Sequence, residues 1–114
     1  MNRKTTAKEF ARFRAAFGAT QKRLGCLDYA VQFRLQRLTD RWAQISMDTE
    51  GHLATVDLAD TLTDEAPDLD RLGRHEAIHL LVGRIAELGK ERYVSEREMN
   101  EAEEAVVRLL EQAL

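Results

Sequence analysis

Apolar residues at helical spacing open the chain. They recur at intervals of three, four and seven residues: Phe10, Phe13, Phe17 and Leu24. This spacing places them on one face of a helix. Thr6 and Glu9 form a capping-box pattern that predicts where the helix begins, and Gly25 is expected to end it. We therefore predict an N-terminal helix over about residues 6–24.

Alternation of apolar and polar residues follows the first helix. It covers residues 29–38, and two further runs cover about residues 42–48 and 53–59. Period-two alternation is typical of half-buried strands. A turn ending in Gly51 separates the last two runs. The pattern predicts a three-stranded antiparallel meander over about residues 29–60.

Helical spacing returns in the second half of the chain. One run covers about residues 69–88, with Gly89 as its expected end. A second capping-box pattern, Ser95 with Glu98, predicts a last helix over about residues 95–113. The fold class we expect is α+β: an N-terminal helix, a three-stranded antiparallel sheet and two helices, in a single domain over residues 1–114.

Composition narrows the possible classes of protein. A chain of 114 residues is long enough for one modest core. No apolar run is long enough to cross a membrane, and the N-terminus lacks the apolar region of a secretory signal. Cys26 is the single cysteine, which excludes an internal disulfide and a cysteine-based zinc ribbon. We expect a cytoplasmic protein.

Charge is divided unevenly along the chain. Residues 1–41 contain ten Lys or Arg against three Asp or Glu, whereas residues 42–114 contain seven against seventeen. A basic first helix could contact nucleic acid or an acidic partner. It could equally lie against the acidic half of its own fold. No aromatic or glycine-rich nucleic-acid motif accompanies the charge, so we favour the second interpretation.

The predicted helix over residues 69–88 contains an H-E-x-x-H motif, His75-Glu76-Ala77-Ile78-His79. Side chains at positions i and i+4 of a helix lie on the same face, so both imidazoles can reach one metal ion. This pattern is typical of zinc metallopeptidases. Gly83 and Ala86 continue the histidine face, and their small size leaves room for a neighbouring helix.

A catalytic zinc ion requires a third protein ligand. The position that a third histidine would take is Ile85, so a carboxylate is needed, and the last helix is its expected source. With Val106 at the centre of the apolar stripe, Glu103 falls about 60° away. By the same geometry Glu101 falls about 140° away, toward solvent. Because a buried carboxylate needs a partner, we predict Glu103 as the ligand, with Glu101 as the alternative.

These motifs resemble the gluzincin class of zincin metallopeptidases. The resemblance is closer to small phage- and prophage-encoded metallopeptidases and covers about residues 50–110. The matching motifs are His75 to Leu81, Arg92-Tyr93-Val94-Ser95-Glu96 and Glu101-Ala102-Glu103. Asn100-Glu101 also resembles the Asn-Glu pair of thermolysin-like enzymes, which keeps Glu101 as the alternative. The resemblance implies a minimal zincin-like fold without the second subdomain of larger zincins, and it implies the host cytoplasm for a phage-encoded protein.

The expected activity is hydrolysis of a peptide bond. Zn²⁺ on His75, His79 and Glu103 would activate a water molecule, with Glu76 as the general base. Tyr93 is our candidate for stabilising the oxyanion, followed by Arg92, although Tyr93 also fits an ordinary packing role. The expected partner is therefore a peptide or protein substrate.

Two further sequence features bear on the site. We expect an exposed edge strand at about residues 53–59 to pair with an extended peptide, which would bring Thr55 and Asp57 near the cleft. His52, beside a turn glycine, is expected to be a surface residue and not a ligand. The alternative function is a catalytically inactive zincin-fold binding or assembly module, which would contact an acidic partner or nucleic acid through the basic helix.

Overall fold

The computed structural model describes residues 2–90 and 94–113. Its elements follow the chain as β1 (Arg3–Lys4), α1 (Ala7–Leu24), β2 (Ala30–Gln36), β3 (Ala43–Asp48), β4 (Leu53–Ala59), β5 (Thr61–Leu62), α2 (Leu69–Leu88) and α3 (Glu96–Ala113). The expected α+β class is confirmed. The two-residue strands β1 and β5 pair with each other in a small antiparallel ribbon that the sequence patterns do not predict.

Helix α1 begins and ends at the residues that its sequence indicates. The Thr6 hydroxyl accepts a hydrogen bond from the Glu9 amide at 3.1 Å, and the Glu9 carboxylate accepts one from the Thr6 amide at 3.0 Å. These bonds satisfy two amides that the first turn of a helix leaves without partners. Gly25 ends the helix with φ of 75°, a left-handed conformation that glycine adopts at little cost.

The three longer strands form one sheet in the order β2-β4-β3. β3 and β4 are antiparallel, with Ile45 opposite Val56, and they form the hairpin that the Gly51 turn predicts. β2 is parallel to β4, with Phe33 opposite Val56. The predicted all-antiparallel meander is therefore wrong. The six-residue connection over 37–42 can span about 20 Å, which is more than twice the distance between neighbouring strands. The chain can therefore leave room for β4 beside β2 and form β3 on the far side of β4.

β4 takes the centre because it is the most buried strand. Its side chains at positions 54, 56, 57, 58 and 59 are all buried, whereas β2 and β3 contain no fully buried residue. A central strand has both backbone edges paired and loses the most contact with water, so the most apolar segment fits there best. β3 is left at an open edge of the sheet.

Helices α1 and α2 cover one face of this sheet and form the core with it. The largest core side chains include Phe13 and Phe17 from α1 and Val56 and Leu58 from β4. Phe33 of β2 meets both α1 phenylalanines edge-on, with ring centroids 6.4 Å and 5.2 Å away. These aromatic contacts anchor α1 to the sheet.

Helix α3 packs on a different side of α2 from the histidines. A cavity between the two helices is lined on the α2 side by Leu80 and Leu81 and on the α3 side by Ala102 and Val106, among others. Leu81 follows His79 by two residues, so it points about 160° away from His79 around the helix axis. Helix α3 therefore packs against the apolar residues of α2, and the histidine face of α2 is turned toward β3 instead.

Two arginines of the basic N-terminal segment form ion pairs within the fold. Arg3 contacts Glu9 at 2.6 Å, and Arg12 contacts Asp70 at 3.0 Å and Asp68 at 3.2 Å. The pairs of Arg12 join α1 to the acidic segment that leads into α2. Among the described residues, no helix is both long and apolar enough to span a bilayer.

Candidate metal centre

The two motif histidines lie side by side on α2, as their spacing predicts. Their Nε2 atoms are 3.2 Å apart, and their rings meet nearly edge-on with centroids separated by 4.8 Å. Both residues are exposed, so both nitrogens are accessible from solvent. Such a pair can share a hydrogen bond or hold one cation between them.

Glu76 lies beneath the histidine pair and is only 5% exposed. Among the described residues, its Oε2 is the one buried side-chain polar atom without a hydrogen-bond partner. Burial raises the pKa of Glu76 above its ordinary value, and the neighbouring His79, His75 and Arg41 oppose that rise only in part. A buried carboxylate without a partner costs stability, which makes it a candidate for a functional role.

The donors of His75, Glu76 and His79 form one compact group. One ligand atom from each residue lies within 4.8 Å of the others, and this is the group of potential metal ligands found among the described residues. Two nitrogens bound to one tetrahedral zinc ion at about 2.0–2.1 Å would be about 3.3 Å apart. The observed separation of 3.2 Å fits that requirement. The two imidazoles are therefore spaced as two ligands of one metal ion would be.

An open cavity of about 380 Å³ lies between the histidine face of α2 and the start of β3. Its described lining residues are Asp40, Arg41, Ala43, Gln44, Ile45, His75, Glu76 and His79. Gly83 of α2 continues this contact, because a Cβ built there would come within 2.7 Å of Met47 Cε. Gly83 thus accommodates the edge strand, so among the described elements it is β3, and not the expected neighbouring helix, that lies against this part of the histidine face.

Neither Glu103 nor Glu101, the two ligands predicted on α3, belongs to the group formed by His75, Glu76 and His79. Glu103 is exposed on α3, and Glu101 is exposed and paired with Arg97 at 3.2 Å. The reason is the packing described above, because α3 lies over Leu80 and Leu81 and away from the histidine face. The assignment of Glu103 as the third ligand has no support from this packing and stays a prediction.

The other sequence predictions for the site have separate outcomes. Tyr93 and Arg92, our candidates for the oxyanion, lie outside the described residues. His52 is exposed as expected, and its ring stacks on Tyr29 at a centroid distance of 5.4 Å. Its φ of 52° is the left-handed conformation of a tight turn.

The predicted edge strand is wrong, because β4 lies at the centre of the sheet. Asp57 does not face a cleft: it is 1% exposed and accepts hydrogen bonds from Arg34 at 2.9 Å and Gln44 at 2.8 Å. The strand that borders the cavity is β3, through Ala43, Gln44 and Ile45. The alternation of apolar residues identifies each strand but not its neighbours.

Asp40 and Arg41 are site residues that the sequence patterns do not indicate. Both line the cavity from the connection between β2 and β3. The sequence indicates only that these two residues lie just before a strand. An Asp-Arg pair is common in turns and does not by itself indicate a functional site. No protein-family model, curated protein or solved structure matches the chain.

Proposed function

We propose that this chain is a zinc-dependent peptidase with a minimal zincin-like arrangement, centred on His75, Glu76 and His79. The observation that carries the proposal is the pair of imidazole nitrogens 3.2 Å apart, next to a buried carboxylate oxygen that has no hydrogen-bond partner in the described part of the chain. A bound zinc ion supplies a Lewis acid, which polarises a carbonyl group and lowers the pKa of a coordinated water molecule.

Glu76 has the properties of a general base and acid. Its raised pKa makes its carboxylate more basic than that of an exposed glutamate. Glu76 lines the cavity, and among the described residues its Oε2 has no hydrogen-bond partner, so no other group of the protein holds its carboxylate in place of the attacking water. The same group can then deliver the proton to the leaving amine, as microscopic reversibility permits.

The open edge of β3 is suited to hold an extended peptide. In its ladder with β4, the carbonyl of Trp42 accepts from the amide of Ala59 at 2.8 Å. Backbone groups alternate between the two sides of a strand, so those of Ala43, Ile45 and Met47 face the open edge. Ala43 and Ile45 also line the cavity beside the histidines. A peptide added along this edge would pass the candidate metal centre.

Two carboxylates are candidates for the third ligand. Glu103 follows from the sequence analysis, and Asp40 lines the cavity that holds the histidine pair. Asp40 is largely exposed and is bonded to Arg41 at 3.1 Å, so Asp40 would have to leave that ion pair to bind a metal ion. The zinc content of the variants Glu103→Ala and Asp40→Ala distinguishes these two candidates.

Metal analysis is the first test of the proposal. Purified wild-type protein should contain one zinc ion per chain, and both His75→Ala and His79→Ala should lose it. His52→Ala is the matched control, because it removes an exposed histidine outside the site. Equal zinc content in all four proteins would refute the proposed centre. Loss of zinc in either Glu103→Ala or Asp40→Ala would identify the third ligand.

A cleavage assay is the second test. Mass spectrometry of a peptide library should detect products with the zinc-loaded wild type and none with Glu76→Gln at equal zinc content. Cleavage that survives this substitution would belong to a contaminant. Stoichiometric zinc without any cleavage would instead favour the alternative function, a non-catalytic binding module.

A further inference from the structure

Arg41 occupies one side of the cavity that contains the candidate metal centre. Its neighbour Asp40 accepts hydrogen bonds from Nε at 3.1 Å and from Nη2 at 3.4 Å. This side-on pairing orients the guanidinium and leaves one N–H of Nη1 and one of Nη2, which point in parallel from its end, unused by Asp40. About half of the Arg41 side chain is exposed, so a ligand in the cavity can reach these donors.

Besides the proposed zinc ion, the described lining residues of the cavity supply one fixed positive charge, that of Arg41. Apart from the two histidines, Arg41 is the one basic side chain there, and it interacts electrostatically with Glu76 across the cavity. An anionic group on a part of the bound molecule that extends beyond the zinc ion would therefore meet Arg41 as the next positive charge. A guanidinium held in one plane suits a carboxylate, which it can bind through two parallel hydrogen bonds.

For a peptide paired antiparallel with β3, the direction of the strand places the C-terminal end of the peptide at Arg41. β3 runs from Ala43 to Asp48, and Arg41 lies just before its first residue. A peptide that pairs antiparallel with β3 runs in the opposite direction, from the Asp48 end toward Ala43. Its C-terminal part therefore passes the histidine pair and approaches Arg41.

We propose that Arg41, oriented by Asp40, binds the C-terminal carboxylate of the substrate. This inference rests on the proposed peptidase function and deepens it. The substrate class becomes peptides with a free C-terminus a short distance beyond the cleaved bond. Arg41 would thus be a specificity-determining residue, and long protein chains or amidated peptides would be poor substrates.

Binding without turnover gives the most direct test. Zinc-loaded Glu76→Gln protein is titrated with two probes: acetylated tetra-alanine with a free C-terminal carboxylate, and the same peptide as its amide. A charge-assisted hydrogen bond corresponds to about a tenfold or greater difference in Kd. We expect the acid to bind at least about tenfold more tightly than the amide.

Variants in this background assign the difference to Arg41. Arg41→Gln should reduce the affinity for the acid to that for the amide and leave the amide unchanged. Arg41→Lys keeps the charge but not the two parallel donors, so it should recover only part of the preference. Arg37→Gln is the matched control: it removes an exposed arginine of the same connection that does not line the cavity, and it should change neither affinity. Urea unfolding of each variant verifies that the fold is kept.

The outcomes separate this inference from the proposed function. Equal binding of acid and amide by zinc-loaded protein would overturn the role of Arg41 and leave the peptidase proposal standing. Failure to bind zinc at all would overturn both. With Glu76 restored, Arg41→Gln should raise KM for the acid and leave kcat unchanged. An equal loss of kcat on acid and amide would show that Arg41 stabilises the transition state, which would also overturn the inference.

Discussion

Gly73 of α2 lies directly against Ala16 of α1. A Cβ atom built on Gly73 would come within 2.8 Å of the Ala16 Cβ and within 2.7 Å of the Phe13 carbonyl oxygen. Both contacts are closer than atoms normally approach, and one partner is backbone that cannot rotate away. The glycine therefore sets the separation of the two helices that cover the sheet.

We expect Gly73→Ala to lower the free energy of unfolding by about 1–3 kcal/mol, because it forces α1 and α2 apart. Gly18→Ala is the matched control in α1, since no atom of the described residues lies within 4 Å of a Cβ at Gly18. It should raise the free energy of unfolding by up to about 1 kcal/mol through helix propensity. Urea unfolding of both variants measures the difference. A neutral Gly73→Ala would show that the helices are not in close contact.

A second relationship within the fold joins Arg34 to Asp57. Asp57 is buried, whereas the side chain of Arg34 is 46% exposed. Loss of Arg34 would leave a buried carboxylate with Gln44 alone, but loss of the Asp57 charge would leave an arginine that can reach water. We expect Arg34→Met to cost about 2–4 kcal/mol, more than Asp57→Asn. Urea unfolding at pH 7 tests the order, and the reverse order would contradict this account.

The sequence predicts most elements of this fold because each depends on local chemistry. Capping residues Thr6 and Ser95 and the αL glycine Gly25 act within a few residues of their helix ends, and the structure uses them as expected. The neighbours of a strand are set instead by tertiary packing. β2 and β4 show the same alternation whether they are parallel or antiparallel, so the crossing connection was not predictable from that pattern.

The same limit applies to the candidate site. His75, Glu76 and His79 are close because they share one helix, and the motif alone determines that geometry. A third ligand depends on which face of α2 meets which element. Glu103 lies beside the apolar stripe of α3. The position of that stripe relative to the histidines depends on its packing against Leu80 and Leu81 of α2. Asp40 and Arg41 reach the cavity only through the crossing connection.

Zinc should stabilise the folded protein through the same histidines. A ligand that binds only the folded state at a free concentration of 100 times its Kd adds about 2.7 kcal/mol to the free energy of unfolding. We expect such an increase for the wild type and for His52→Ala when zinc is added, and its reversal by a chelator. His79→Ala should unfold as the metal-free wild type does at every zinc concentration. A zinc-dependent increase in His79→Ala would place the ion elsewhere.

Acid should weaken the fold in part through Glu9. A hydrogen bond from Arg3, reinforced by the Thr6 amide, lowers the pKa of Glu9 from 4.5 to about 2. The folded state therefore binds fewer protons than the unfolded chain at intermediate pH. The contribution of Glu9 is fully present above about pH 4.5 and is lost as the pH falls toward 2.

Glu9→Gln should therefore unfold more easily than the wild type at pH 6, and the difference should shrink as the pH is lowered from 4.5 toward 2. Hydrogen bonds from Arg34 and Gln44 also lower the pKa of Asp57, against the effect of burial, so Asp57→Asn should show a decrease of the same sign. Arg3 is half-exposed, so 1 M salt should reduce the Glu9 difference more than the Asp57 difference. Urea unfolding across this pH range at low and high salt measures both. A Glu9→Gln difference that is constant with pH would show that the capping bond to Thr6, and not the charge, is what stabilises α1.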